Sequence, residues 1–229
     1  MLVWPDGRTV GTIGGGCYEN DAFWKAREAL ASGRPSLVHY ELNDDFAQEN
    51  GLICGGRMDV HIDPLVPSPE LYIIGAGHVG FHLARIARDA GFNLHVIDDR
   101  EKFANAERFP GAEVVVEPIP QWLERAQLPA AAYVVILTRG HQHDLDAMRA
   151  LAPREYKYVG LIGSRAKVAR IYDALRAEGI APACLERVHA PIGLEIGAVT
   201  PAEIAVSILA ELIAVRRGAS TAGLAMKRV

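Results

Sequence analysis

The sequence predicts an α/β fold, a doubly wound parallel sheet preceded by a small α+β N-terminal domain. Three observations carry this. From residue 71 onward apolar strand patterns alternate with amphipathic helix patterns, the order that builds a parallel sheet with helices on both faces. The glycine pattern Gly75-Ala76-Gly77-His78-Val79-Gly80 leaves the apolar run Leu71–Ile74 and opens a helix, the setting of a Rossmann-type phosphate loop. Pro64-Leu65-Val66-Pro67-Ser68-Pro69 resists both helix and central strand and reads as a semi-rigid linker. The expected organisation is therefore a small domain over 1–63, a linker over 64–70 and a Rossmann-like domain over 71–229.

Taken in order, Leu2 to Trp4 and Arg8 to Ile13 flank Pro5-Asp6-Gly7 and predict a β-hairpin. Gly14-Gly15-Gly16 feeds a helix over Tyr18 to Ala31, with Ala22, Phe23, Ala26 and Leu30 on one face and Ser32-Gly33 at its end. Met58, Val60 and Ile62 alternate with Asp59, His61 and Asp63, a half-buried strand whose polar residues face solvent and need no chemistry. Beyond the linker the expected elements are Leu71–Ile74, Val79–Ala90, Leu94–Asp98, Val114–Val116, Gln121–Arg125, Tyr133–Leu137, Asp144–Leu151, Tyr158–Ile162 and Ser164–Glu178. Thr200-Pro201-Ala202-Glu203 is a capping box with proline at the first helical position, opening a last helix that Arg216-Arg217-Gly218 closes.

Composition narrows the functional classes. The 229 residues carry 28 acidic and 24 basic side chains for a net charge of -4, with no basic stripe for nucleic acid. No apolar run approaches the roughly 20 residues of a membrane span, and the start is not signal-like, so a cytoplasmic protein is expected. The three cysteines, Cys17, Cys54 and Cys184, form no CxxC pair and suit neither a disulfide framework nor a zinc knuckle.

The glycine loop is the main site. Gly75 permits the tight turn, Gly77 lets a pyrophosphate approach the backbone beside His78, and Gly80 lets the helix pack against the strand. Asp98 ends the second strand, where a carboxylate accepts from an adenosine ribose, while Arg100 could instead meet a 2′-phosphate; NAD against NADP stays open. Gly163-Ser164-Arg165 starts a helix at a strand end and suits an anion, with Ser164 as a plain N-cap the alternative. His141-Gln142-His143-Asp144 lies at the carboxyl end of the sheet, but two histidines in a loop fall short of a metal set, and Asp144 reads equally as a cap. Cys17 follows three glycines at a helix start and Cys54 adjoins Gly55-Gly56, where backbone N–H groups favour a thiolate; a small buried apolar role is the alternative. Cys184 has neither glycines nor a helix start beside it.

Together, Gly11-Thr12-Ile13-Gly14-Gly15-Gly16-Cys17-Tyr18-Glu19, Cys54-Gly55-Gly56, the Gly75–Gly80 loop, Gly160-Leu161-Ile162-Gly163-Ser164-Arg165 and the run from Pro191-Ile192-Gly193 to Ile204-Ala205 resemble the XdhC/CoxI family over nearly the whole chain. Its members assist maturation of molybdenum-cofactor enzymes such as xanthine dehydrogenase and carbon monoxide dehydrogenase. The resemblance implies a protein that binds molybdenum cofactor (molybdopterin) and passes it, sulfurated, to a molybdoenzyme of the xanthine dehydrogenase type. It also implies a homodimer and a cysteine desulfurase as partner. Family members usually carry a further strand and helix before the segment matching Met1-Leu2-Val3, so a short N-terminus is expected.

The leading reading is a chaperone that binds and hands over a cofactor, for which ordinary catalysis is not required. An NAD(P)-dependent oxidoreductase is the alternative suggested by the glycine loop, although no Tyr-x-x-x-Lys and no substrate domain accompany it. A nucleotide-sensing regulator is the third.

Overall fold

The computed structural model describes residues 1–41 and 56–221. The chain divides into two compact units, Met1–Pro67 and Ser68–Val229. In the first, β1 (Leu2–Val3) and β2 (Thr9–Val10) form a short antiparallel ladder closed by Trp4 N–H to Arg8 O at 2.9 Å and Gly7 N–H to Trp4 O at 3.0 Å. The second strand is shorter than the sequence predicts. Gly11 takes φ 80° and Gly14, Gly15 and Gly16 take 127°, 78° and 69°, a left-handed course that cannot continue a strand.

Helix α1 (Gly16–Ser32) follows and ends at Gly33 in the left-handed conformation, burying Ala22 and Ala29. Strand β3 (Ser36–Glu41) pairs antiparallel with β4 (Arg57–Ile62), with Val38 opposite Val60 and His39 opposite Asp59. Asp59 and His61 lie on the exposed face of β4, as expected for solvated alternation.

The second unit is built on a five-stranded parallel sheet. Its strands are β5 (Glu70–Ile74), β6 (Asn93–Asp98), β7 (Glu113–Val116), β8 (Tyr133–Ile136) and β9 (Tyr158–Leu161), in the order β7-β6-β5-β8-β9. The helices are α2 (His78–Asp89), α3 (Ile119–Arg125), α4 (His141–Leu151), α5 (Arg165–Ala177), α6 (Pro182–Glu186) and α7 (Pro201–Arg217). Alternate sheet residues feed two cores. Ile74, Ile97, Val134, Ile136 and Leu161 pack with Trp122, Met148, Ile171 and Leu175 of α3, α4 and α5. Leu71, Ile73, Val96, Val135 and Tyr158 pack with Leu83 and Ala87 of α2 and with Ile208 and Leu212 of α7. Both faces of β8 and β9 and most of β5 and β6 are thus buried, which is why those strands read as near-continuous apolar runs. The strand order reverses between β5 and β8, and that switch point is where a doubly wound sheet opens its crevice.

Candidate functional site

Gly75 and Gly80 each answer a steric demand, and Gly77 leaves open space. A Cβ on Gly75 would stand 2.4 Å from the Leu137 carbonyl oxygen, and its φ is 117°, so the turn out of β5 admits no side chain. A Cβ on Gly80 would stand 2.3 Å from the Gly75 oxygen, so α2 packs directly on the loop. A Cβ on Gly77 would meet nothing within 4 Å. Gly77 is itself the N-cap of α2, and no side chain closes the helix end. Free N–H groups at a helix start favour an anion. His78, the first residue of α2, is exposed beside them.

Asp98 has a different set of partners from the ribose its position suggests. It is buried to 2 % exposure. Its Oδ2 accepts from the Ala76 N–H and from Arg100 Nη2, both at 2.8 Å, and its Oδ1 accepts from Arg100 Nε at 2.8 Å and the Arg100 N–H at 3.1 Å. Burial pushes the Asp98 carboxyl up, but the bonds from Arg100 and Ala76 outweigh it and hold the group below its ordinary range. Four donors saturate the carboxylate, which braces the glycine loop from the end of β6. The Arg100 guanidinium lies over the Phe103 ring at 4.0 Å.

Asp99 is the more open neighbour, and Arg139, in the loop after β8, donates to its Oδ2 at 3.1 Å. Neither residue stood out in the sequence. The pair Asp98-Asp99 at a strand end was the available signal, since adjacent residues there point to opposite sides.

The next crevice loop holds a buried carboxylate, paired with a partly exposed lysine, that sequence reasoning missed. Helix α4 begins at His141, three residues before the predicted start, because Gly140 with φ 85° makes the turn after β8. Asp144 consequently sits inside the first turn, fully buried, and not as a cap. Its Oδ1 accepts from Thr138 Oγ1 at 2.6 Å and its Oδ2 pairs with Lys167 of α5. Ser164 is the N-cap of α5, accepting from the Lys167 N–H at 3.3 Å, and Arg165 is exposed. Gly163 lies against the Lys167 side chain. Among the described residues no group of three or more His, Cys, Asp or Glu side chains converges on a point that would suit a metal ion.

In the N-terminal unit, Cys17 is the second residue of α1 and is half-buried. The Glu19 carboxylate accepts from the Thr12 hydroxyl, from the Ile13 N–H at 2.9 Å and from the Gly15 N–H at 3.1 Å. Those bonds, Thr12 first, hold the Glu19 carboxyl below its ordinary range. They also anchor the glycine loop at Ile13 and Gly15, with open space where Cβ atoms would stand on Gly14 and Gly15. Cys54 lies outside the described residues. Cys184 does have a helix start beside it, contrary to the reading of its sequence neighbours, since it is the third residue of α6. No helix among the described residues is long and apolar enough to cross a membrane.

Comparison with known proteins agrees with this architecture. A family described as the XdhC Rossmann domain matches residues 71–212, and one described as the XdhC and CoxI family matches residues 1–41. The chain is 37% identical over 229 residues to the uncharacterized protein YqeB of Escherichia coli, covering 99% of this chain and 42% of that protein. It is 32% identical over 160 residues to a probable xanthine dehydrogenase subunit of Bacillus subtilis, covering 69% of this chain and 46% of that one. The chain therefore spans less than half the length of these curated relatives. A crystal structure described as a xanthine dehydrogenase from Bacillus halodurans shares the fold, with a TM-score of 0.60 at 21% identity, over 96% of this chain and 87% of that one. Matched in both of its units, and over more than half its length by the Rossmann-domain model, the chain belongs to the XdhC and CoxI family.

Proposed function

We propose that this chain is an accessory protein that binds molybdenum cofactor and hands it, sulfurated, to an enzyme of the xanthine dehydrogenase type. Family membership and a relative named as a probable xanthine dehydrogenase subunit support the maturation role. The observation that carries the binding role is the glycine loop. Gly75 and Gly80 are closed by backbone, while among the described residues nothing stands within 4 Å of where a Cβ on Gly77 would be, at a helix start with no side-chain cap. A pterin cofactor ends in a phosphate or diphosphate, and this cradle has the space and the N–H donors to take one.

The second element of the proposal is the thiol pair. Cys17 follows glycines with room around them and would offer a soft ligand where a bulky group can approach, and the sequence setting of Cys54 beside Gly55-Gly56 supports the same role. The molybdenum centre, when bound, supplies the redox chemistry of the acceptor enzyme; this chain binds, orients and releases. A homodimer and a cysteine desulfurase as sulfur donor complete the proposal. NAD(P) is the other candidate for the glycine loop, and the openness at Gly77 favours it equally.

Anaerobic purification followed by quantification of the bound pterin tests the binding role. Wild type and Cys184→Ser are expected to retain the pterin, and Cys54→Ser, with Cys17→Ser to a smaller degree, to lose it. Equal retention by the Cys17/Cys54 double variant would reject the thiol assignment.

A further inference from the structure

Asp99 and Arg139 join the loops after β6 and β8 in an ion pair, and the other Asp99 oxygen lies 3.6 Å from Arg100 Nε. Asp99 and Arg139 are 40 residues apart and 3.1 Å from each other, and β5, which carries the glycine loop at its carboxyl end, lies between their two strands. Their side chains are 30 % and 58 % exposed, against 3 % and 24 % for Asp98 and Arg100. One pair at this mouth is thus locked and the other is open to exchange.

The locked pair commits the Arg100 guanidinium to Asp98. A 2′-phosphate needs an uncommitted cation at the end of the second strand. Arg100 spends Nε and Nη2 on Asp98 and rests its face on Phe103. Turning it outward would strip a buried carboxylate of its countercharge, which is far costlier than leaving a surface charge unpaired. Arg108 lies over the rings of Phe81 and Phe103 at 5.0 and 5.1 Å, and Arg139 is held by Asp99 at 3.1 Å, so a 2′-phosphate could reach it only by displacing the Asp99 carboxylate. What the mouth presents is the Asp99 carboxylate, which attracts hydroxyl donors and repels a phosphate.

We infer that the crevice selects a diphosphate nucleotide whose ribose keeps a free 2′,3′-diol, with Asp99 accepting from the diol and Arg139, released from Asp99, facing the diphosphate. This rests on the reading of the Gly75–Gly80 loop as a diphosphate site. Asp98 then acts as the brace that shapes the loop, one residue before the group that reads the sugar.

Calorimetric titration of the full chain with NAD and with NADP tests it, with thermal melting as the fold control. NAD is expected to bind about tenfold or more tightly than NADP. Asp99→Asn is expected to weaken NAD by about tenfold, to leave NADP unchanged or improved, and to keep the melting temperature, since the side chain is partly exposed. Arg139→Gln is expected to weaken both nucleotides. NADP binding as tight as NAD, or an NAD preference that survives Asp99→Asn, would overturn the inference. Equal binding that Gly77→Val abolishes would reject the selectivity and leave the diphosphate reading standing. Binding of neither nucleotide would remove both.

Discussion

Asp98 and Glu211 are buried carboxylates that hold backbone no helix or strand could hold. Asp98 takes the Ala76 N–H of the glycine loop, and Glu211, on α7, takes the Gly193 N–H at 2.8 Å, the Tyr158 hydroxyl at 2.5 Å and His189 Nδ1 at 2.7 Å. Burial pushes Glu211 up, but the bonds from His189, Tyr158 and Gly193 prevail and keep its carboxyl below its ordinary value of 4.5. A carboxyl depressed in the folded state contributes stability that is complete above its unfolded value and lost as the pH falls through the folded one. Urea unfolding should therefore show stability level at neutral pH and declining below about pH 4. Glu211→Gln should cost about 1–3 kcal/mol at pH 7 and flatten that decline. An unchanged acid profile in the variant would mean that Glu211 is not among the groups responsible. Gly75 and Gly80 were legible because a steric demand leaves one residue type. The role of Asp98 was not, because a strand-end carboxylate looks the same whether it faces a ligand or its own loop.

At the level of elements, end signals were read best and marginal elements worst. The Thr200–Glu203 box forms reciprocally, with the Glu203 N–H donating to Thr200 Oγ1 at 3.3 Å and the Thr200 N–H to Glu203 Oε2 at 2.8 Å. Thr200→Ala should lower stability by about 1 kcal/mol, measured by chemical denaturation, without altering ligand binding. No measurable loss would show that α7 is held by its packing alone. Strand β3 escaped the sequence reading because none of its residues is fully buried, so Ser36–Glu41 lacks a clean apolar side. Helix α6 escaped because five residues give no period to read. Helix α4 was placed late because its first turn carries His141, Gln142 and His143, polar residues that resemble a loop. The same late start hid Asp144, whose countercharge comes from Lys167 on a separate helix, a pairing no local pattern encodes.

The molecule as a whole combines a thiol-bearing glycine loop in the unit Met1–Pro67 with a diphosphate-type loop in the unit Ser68–Val229. The alternating strand and helix order made the doubly wound sheet legible before any coordinates, since buried parallel strands and amphipathic crossovers leave strong periodic signals. The proposed function rests on the family blocks, because a Rossmann fold hosts many chemistries. A cofactor chaperone differs from an oxidoreductase in what it does to another protein. The decisive measurement is therefore the activity recovered by a demolybdo acceptor enzyme of the xanthine dehydrogenase type when cofactor is supplied through this protein. Wild type and Cys184→Ser are expected to raise the recovered activity above that reached with free cofactor, and the Cys17/Cys54 double variant is not. Full recovery with the double variant, or no gain over free cofactor with wild type, would contradict the assignment of this chain as a thiol-dependent cofactor chaperone.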